Sequence, residues 1–149
     1  MAAVTVLTLL VGGAALAYWR SGGSGSGAAS TGTVVAVTLS PGTPTAQLYP
    51  GGNASVVLTM TNPNSGPVLV PSLTLNTGQG TGGFAVDGAH SGCAVAALSF
   101  APQNNGGPGW TLTGGQALSV TLIDALSMTA SAASACQGAS FTVYLQVSA

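Results

Sequence analysis

Asp87 and His90 stand three residues apart in the stretch Val86-Asp87-Gly88-Ala89-His90-Ser91-Gly92-Cys93. A carboxylate so placed would orient an imidazole, and a serine beside the pair would complete a nucleophilic triad. Ser91 and Ser99 are nearby in sequence. No Gly-x-Ser-x-Gly elbow, the turn that lifts a nucleophile out of a sheet, accompanies them. The plainer reading is an Asp that caps its own turn, with His90 packed or solvated beside a cysteine bridge. Asp87 and Asp124 are the only acidic side chains. As a pair they would suit glycoside hydrolysis, but nothing around them supports that role. Calcium needs a denser cluster of oxygen ligands than this chain offers. We therefore expect no catalytic residue, no cofactor and no metal ligand, and read the chain as a non-enzyme.

Cys93 and Cys136 are the only cysteines. Two cysteines and one histidine leave a tetrahedral zinc site short of ligands. An even count in an exported chain reads instead as one disulfide. It would close a loop of about 40 residues and contribute roughly 3–4 kcal/mol. Asn53-Ala54-Ser55 has the N-glycosylation acceptor pattern. Tyr49, Trp110 and Tyr144 would make a sugar-stacking platform or, more ordinarily, part of the core and its rim.

The elements that must position these residues are built almost without charge. Charged residues make up 2% of the chain: Arg20, Asp87 and Asp124, with His90 as the one histidine. No basic patch exists, so nucleic acid is excluded as a partner. A net charge near zero gives little repulsion and favours self-association.

Turn signals divide the chain into short β-prone runs. They are residues 33–39, 54–61, 68–75, 84–86, 94–100, 110–112, 117–123 and 140–147. Pro71 inside the third run marks an edge or a bulge. Residues 125–135 (ALSMTASAASA) would allow a helix by their alanines, but their serines and threonines argue for an irregular connection. Alternation places Val57, Val68, Val70, Leu73, Leu75, Leu98, Leu118, Val120, Leu122, Phe141, Val143, Leu145 and Val147 among the core candidates. Seven or eight short strands with turns every 8–12 residues or so predict an all-β fold, an antiparallel β-sandwich of Ig-like or jelly-roll-like form.

Residues 2–17 carry no charge and end in Ala15-Leu16-Ala17, a small-x-small pattern that suits signal-peptide cleavage. Read uncleaved, residues 2–19 form a hydrophobic anchor helix, with Tyr18 and Trp19 at the membrane interface. The absence of a basic residue before the run weakens the signal-peptide reading. The expected organisation is a signal peptide or anchor (1–17), a Gly/Ser-rich linker (18–32) and a sandwich domain (33–149).

Two stretches carry a resemblance. Residues 11–19 (VGGAALAYW), with Pro50-Gly51-Gly52, a Val/Thr strand and Asn62, resemble the leader and first strands of the TasA/camelysin family. That resemblance implies an exported jelly-roll-like subunit that forms extracellular fibres, in which one subunit's N-terminal strand completes the next subunit's sheet. The Pro-Gly-Gly, Asn-Pro-Asn and Cys-Gln-Gly-Ala-Ser-Phe stretches also resemble small, uncharacterised secreted sandwich domains of actinobacteria. Apart from any resemblance, residues 33–39 are β-branched and uncharged, with no internal proline to guard an edge. Val34, Val35, Ala36, Val37 and Leu39 are thus read either as part of the first strand of their own sandwich or as an assembly strand that pairs in trans. The expected function is an extracellular structural subunit of a pilus, fibre or surface layer. The alternative is a secreted or anchored module that binds a glycan or a cell-surface partner.

Overall fold

The computed structural model describes residues 34–148. The expected export segment, linker and Thr33 lie outside the described residues. Eleven strands run through the described chain: β1 (Thr38–Leu39), β2 (Thr43–Pro44), β3 (Asn53–Thr61), β4 (Val68–Val70), β5 (Ser72–Leu75), β6 (Phe84–Val86), β7 (Leu98–Phe100), β8 (Trp110–Leu112), β9 (Ala117–Met128), β10 (Phe141–Val143) and β11 (Leu145–Ser148). The helices among them are three-residue 3-10 turns at Gly88–His90, Val95–Ala97 and Ser134–Cys136. No helix among the described residues is long and apolar enough to cross a membrane. The fold is all-β, and every strand pair is antiparallel.

The main sheet has the order β1-β3-β9-β7, with β2 also paired to β3. In β3, Ala54, Val56, Leu58 and Met60 are buried, while Ser55, Val57, Thr59 and Thr61 take the opposite face. This is the period-2 alternation of a strand with one side on a core. Opposite them β9 contributes Val120 and Leu122, in register with Leu58 and Val56.

The remaining strands form shorter ladders. Residues 141–148 run as β10 and β11 with one break at Tyr144. β6 pairs with β10 and β5 with β11. The Tyr144 N–H donates to Gly83 O, and Tyr144 O accepts from Asn76 N–H. Residues 76–83 are therefore an excursion between two strands that flank the same side of one line. On the opposite side, Gly42 and Val143 exchange both main-chain hydrogen bonds, at 2.7 and 2.8 Å. A Cβ at position 42 would stand 2.7 Å from Val56 Cγ1 and 3.3 Å from Val143 O. Only glycine lets the chain approach β10 over Val56. β4 pairs with β8. The inward side chains form one apolar cluster that includes Met60, Val70, Leu73, Leu112, Leu126, Phe141 and Val143.

Several sequence expectations need correction. The run at residues 33–39 enters a ladder only at Thr38–Leu39, opposite Thr61 and Met60. Continuing that ladder would bring Val37 and Ala36 opposite Asn62 and Pro63, where β3 has ended and proline has no N–H to offer. Val57, expected in the core, is half-buried because the neighbouring phase (Ala54, Val56, Leu58, Met60) carries the larger apolar set. Pro71 splits the third run in two; Val70 and Leu73 are buried, whereas Val68 and Leu75 are half-buried. Residues 95–97 close a 3-10 turn in place of the expected strand start. β9 runs on to Met128 past the expected end at Ile123, so the first part of the expected irregular connection is strand. The alternation is masked there because β9 bulges opposite Ser55, and Asp124 adopts φ +48°. Leu118 and Val147 are exposed; β11, which carries Val147, has a described partner on one side only.

Candidate functional site

Asp87 is the residue in extended conformation just before the Gly88–His90 turn, and its Oδ1 accepts the His90 N–H at 3.1 Å. Its Oδ2 accepts the Ser140 N–H at 2.6 Å. The His90 Nδ1 lies 2.8 and 3.0 Å from the two carboxylate oxygens. A carboxylate only accepts, so in the neutral ring Nδ1 carries the proton and Nε2 is left as an acceptor. The Ser140 N–H first, and then the His90 ring, hold the Asp87 carboxyl below the usual carboxylate range. Asp87 thus both caps its own turn and orients the imidazole.

Among the described residues no serine hydroxyl joins this pair to form a triad. Ser99 Oγ lies 2.6 Å from Ser127 Oγ, across the β7–β9 ladder. Ser91 is exposed at the end of the turn. Asp124 sits at the β9 bulge, and its N–H donates to Ser55 Oγ at 3.2 Å. Among the described residues no group of three or more His, Cys, Asp or Glu side chains is placed to hold a metal ion. Beyond Asp87–His90, a Cβ on Gly138 would lie 3.8 Å from His90 Nε2 and 4.0 Å from Gln47 Nε2. There a cleft of about 430 Å³ opens, lined by Thr43, Gln47, Leu48, Ser140 and Phe141 among others.

The expected disulfide is present. Cys93 and Cys136, 43 residues apart, are bonded and buried. The bridge ties the end of the Asp87–His90 loop to the Ser134–Cys136 turn and fits an oxidising compartment. Of the three aromatic residues considered for a sugar platform, Trp110 packs against the core, Tyr144 is half-buried and Tyr49 is exposed. The Tyr49 hydroxyl donates to Gln47 Oε1 at 3.2 Å.

Residues 34–37 form the second candidate site. They belong to no ladder, and Val34, Val35 and Ala36 are exposed. Val35 is held by a side chain instead of a strand. Its N–H donates to Asn64 Oδ1, and its carbonyl accepts from Asn64 Nδ2, both at 2.8 Å. The Asn64 amide thereby supplies the donor and acceptor that a strand neighbour would. Asn64 is itself fixed by Asn62 Oδ1, which accepts its N–H and its Nδ2 at 3.0 and 2.9 Å. Asn62 is the one buried polar residue among the described residues. Its Nδ2 donates to Gly66 O and Leu112 O at 2.9 and 3.0 Å, so the burial of the amide is compensated.

Between residues 34–39 and β11 lies a groove of about 460 Å³, with residues 68–70 and Gln79 completing its lining. Its apolar walls include Val35, Val37, Leu39, Val68 and Val147. Sequence alone marks residues 62–64 only as a break between strands. Its signal was Asn-Pro-Asn directly after a strand, a site where side-chain amides replace main-chain partners. Set against protein-family models, curated proteins and solved structures, the chain matches none.

Proposed function

We propose that the chain is a non-enzymatic, exported structural subunit whose domain is a small β-sandwich and whose segment 34–39 mediates self-association outside the cell. The observation that carries this reading is the state of residues 34–37. They are apolar, uncharged and largely exposed, and among the described residues their main chain is held only through Asn64. Such a segment offers an unused row of hydrogen-bonding groups to another copy. A net charge of −1 gives little repulsion against packing. The buried disulfide supports export to an oxidising compartment. The resemblance of residues 11–19 to the TasA/camelysin leader points the same way. Negative-stain microscopy and sedimentation velocity of the exported protein test the reading. Filaments or concentration-dependent oligomers are expected; a strict monomer at high concentration overturns it.

A second reading, a module that binds a glycan or surface partner, is favoured by the cleft that opens beside Gln47 and Gly138. Saturable glycan binding by a monomer would support it over assembly.

A further inference from the structure

The alternation of main-chain groups along residues 141–148 shows which way each rung points. In an antiparallel ladder, successive residues direct their N–H and C=O to opposite sides. Tyr144 bonds Gly83 and Asn76, on the β5/β6 side, while Val143 bonds Gly42 on the other. Leu145 and Val147 share the parity of Val143 and so point away from β5. Their partners in register confirm it. Leu145 faces Leu75 and Val147 faces Leu73, and Leu73 spends both its main-chain groups on Gln103. Two donors and two acceptors, from Leu145 and Val147, therefore face the apolar groove, and none has a main-chain partner among the described residues.

The chain's own segment does not fill this edge. Running back from Gly42, it leaves β10 to pair with β3 at Thr38–Leu39, and residues 34–37 stand as the groove's far wall. One chain thus carries an open edge and an extended apolar segment without a ladder, and neither bears a charge. Residues 34–37 are joined to their own domain through Thr38–Leu39 and held beyond that by the Asn64 side chain, so their release breaks no ladder. We propose that residues 34–37 of a second copy add to β11 as an antiparallel strand, with Asn64 as the latch that holds the segment until it is exchanged. This rests on the self-assembly reading and names its acceptor. Donor and acceptor are different surfaces, so the contact is head-to-tail and can propagate into a filament.

The test uses full-length chains with different tags, one carrying Val35→Cys and the other Val147→Cys, mixed under mild oxidation. The mixed disulfide dimer should exceed either homodimer. Adding Asn64→Ala to the Val35→Cys chain removes two hydrogen bonds from the latch and should strengthen association by about tenfold. Val147→Pro deletes one N–H at the edge and should weaken association while the circular dichroism spectrum is unchanged. Oligomers that form without the mixed crosslink would leave the assembly reading standing and remove β11 as acceptor. A Val35→Cys/Val147→Cys chain that closes on itself as a crosslinked monomer would place the strand in cis and overturn the exchange. A strictly monomeric chain overturns both readings.

Discussion

Asn62 sits at the end of β3 with no solvent exposure and hydrogen-bonds two carbonyls and one neighbouring residue. Replacing it by alanine would strand Gly66 O, Leu112 O and the Asn64 N–H. Asn62→Ala should lower stability by about 2–3 kcal/mol, read as a shift in the urea midpoint with unchanged slope. The same change should loosen Asn64 and with it the hold on Val35. Asp87 acts through charge. Its folded pKa lies below the usual value, mainly because of the Ser140 N–H and then the His90 ring. A depressed carboxyl pKa adds stability that is present above the unfolded value of about 3.9 and is lost as pH falls through the folded value. Thermal melting of the wild type should therefore weaken on acidification below about pH 4. Asp87→Asn should flatten that part of the profile. An identical acid limb in both proteins would contradict this role.

At the scale of elements, strands with clean alternation were legible: Phe84–Val86 and Trp110–Leu112 fall where the residue pattern puts them. What period-2 reading missed has local causes. The bulge at Asp124 hid the second half of β9. Adjacent valines at positions 56 and 57 left the buried phase of β3 ambiguous, and the structure resolves it for Val56. Of the expected strand at 33–39, only Thr38–Leu39 joins a ladder among the described residues, because β3 ends at Thr61 before residues 34–37 can find a neighbour within the chain. Gly42 shows a constraint of the same order. Gly42→Val would force a side chain against Val56 and Val143, and should cost about 1–3 kcal/mol by thermal denaturation. Gly66→Ala, where nothing lies within 4 Å of the added carbon, is the matched control and should be far milder.

For the whole molecule, the cysteine count already pointed to a disulfide and so toward an oxidising compartment. The disulfide was legible because only one pairing of two cysteines exists. The candidate assembly site was only half legible. The proposed donor segment reads directly from its β-branched, uncharged residues. The groove at β11 depends on which way Leu145 and Val147 point, a property of register that no local pattern carries. The central claim is that residues 34–39 carry self-association while the rest of the domain folds without its neighbour. Sedimentation velocity of the intact chain against a variant lacking residues 28–39 measures it most directly. The intact chain should form concentration-dependent oligomers. The truncated chain should stay monomeric with β-type circular dichroism and an intact Cys93–Cys136 bridge, and should bind an added peptide of the deleted sequence. Undiminished association of the truncated chain, or a strictly monomeric intact chain, would contradict the account.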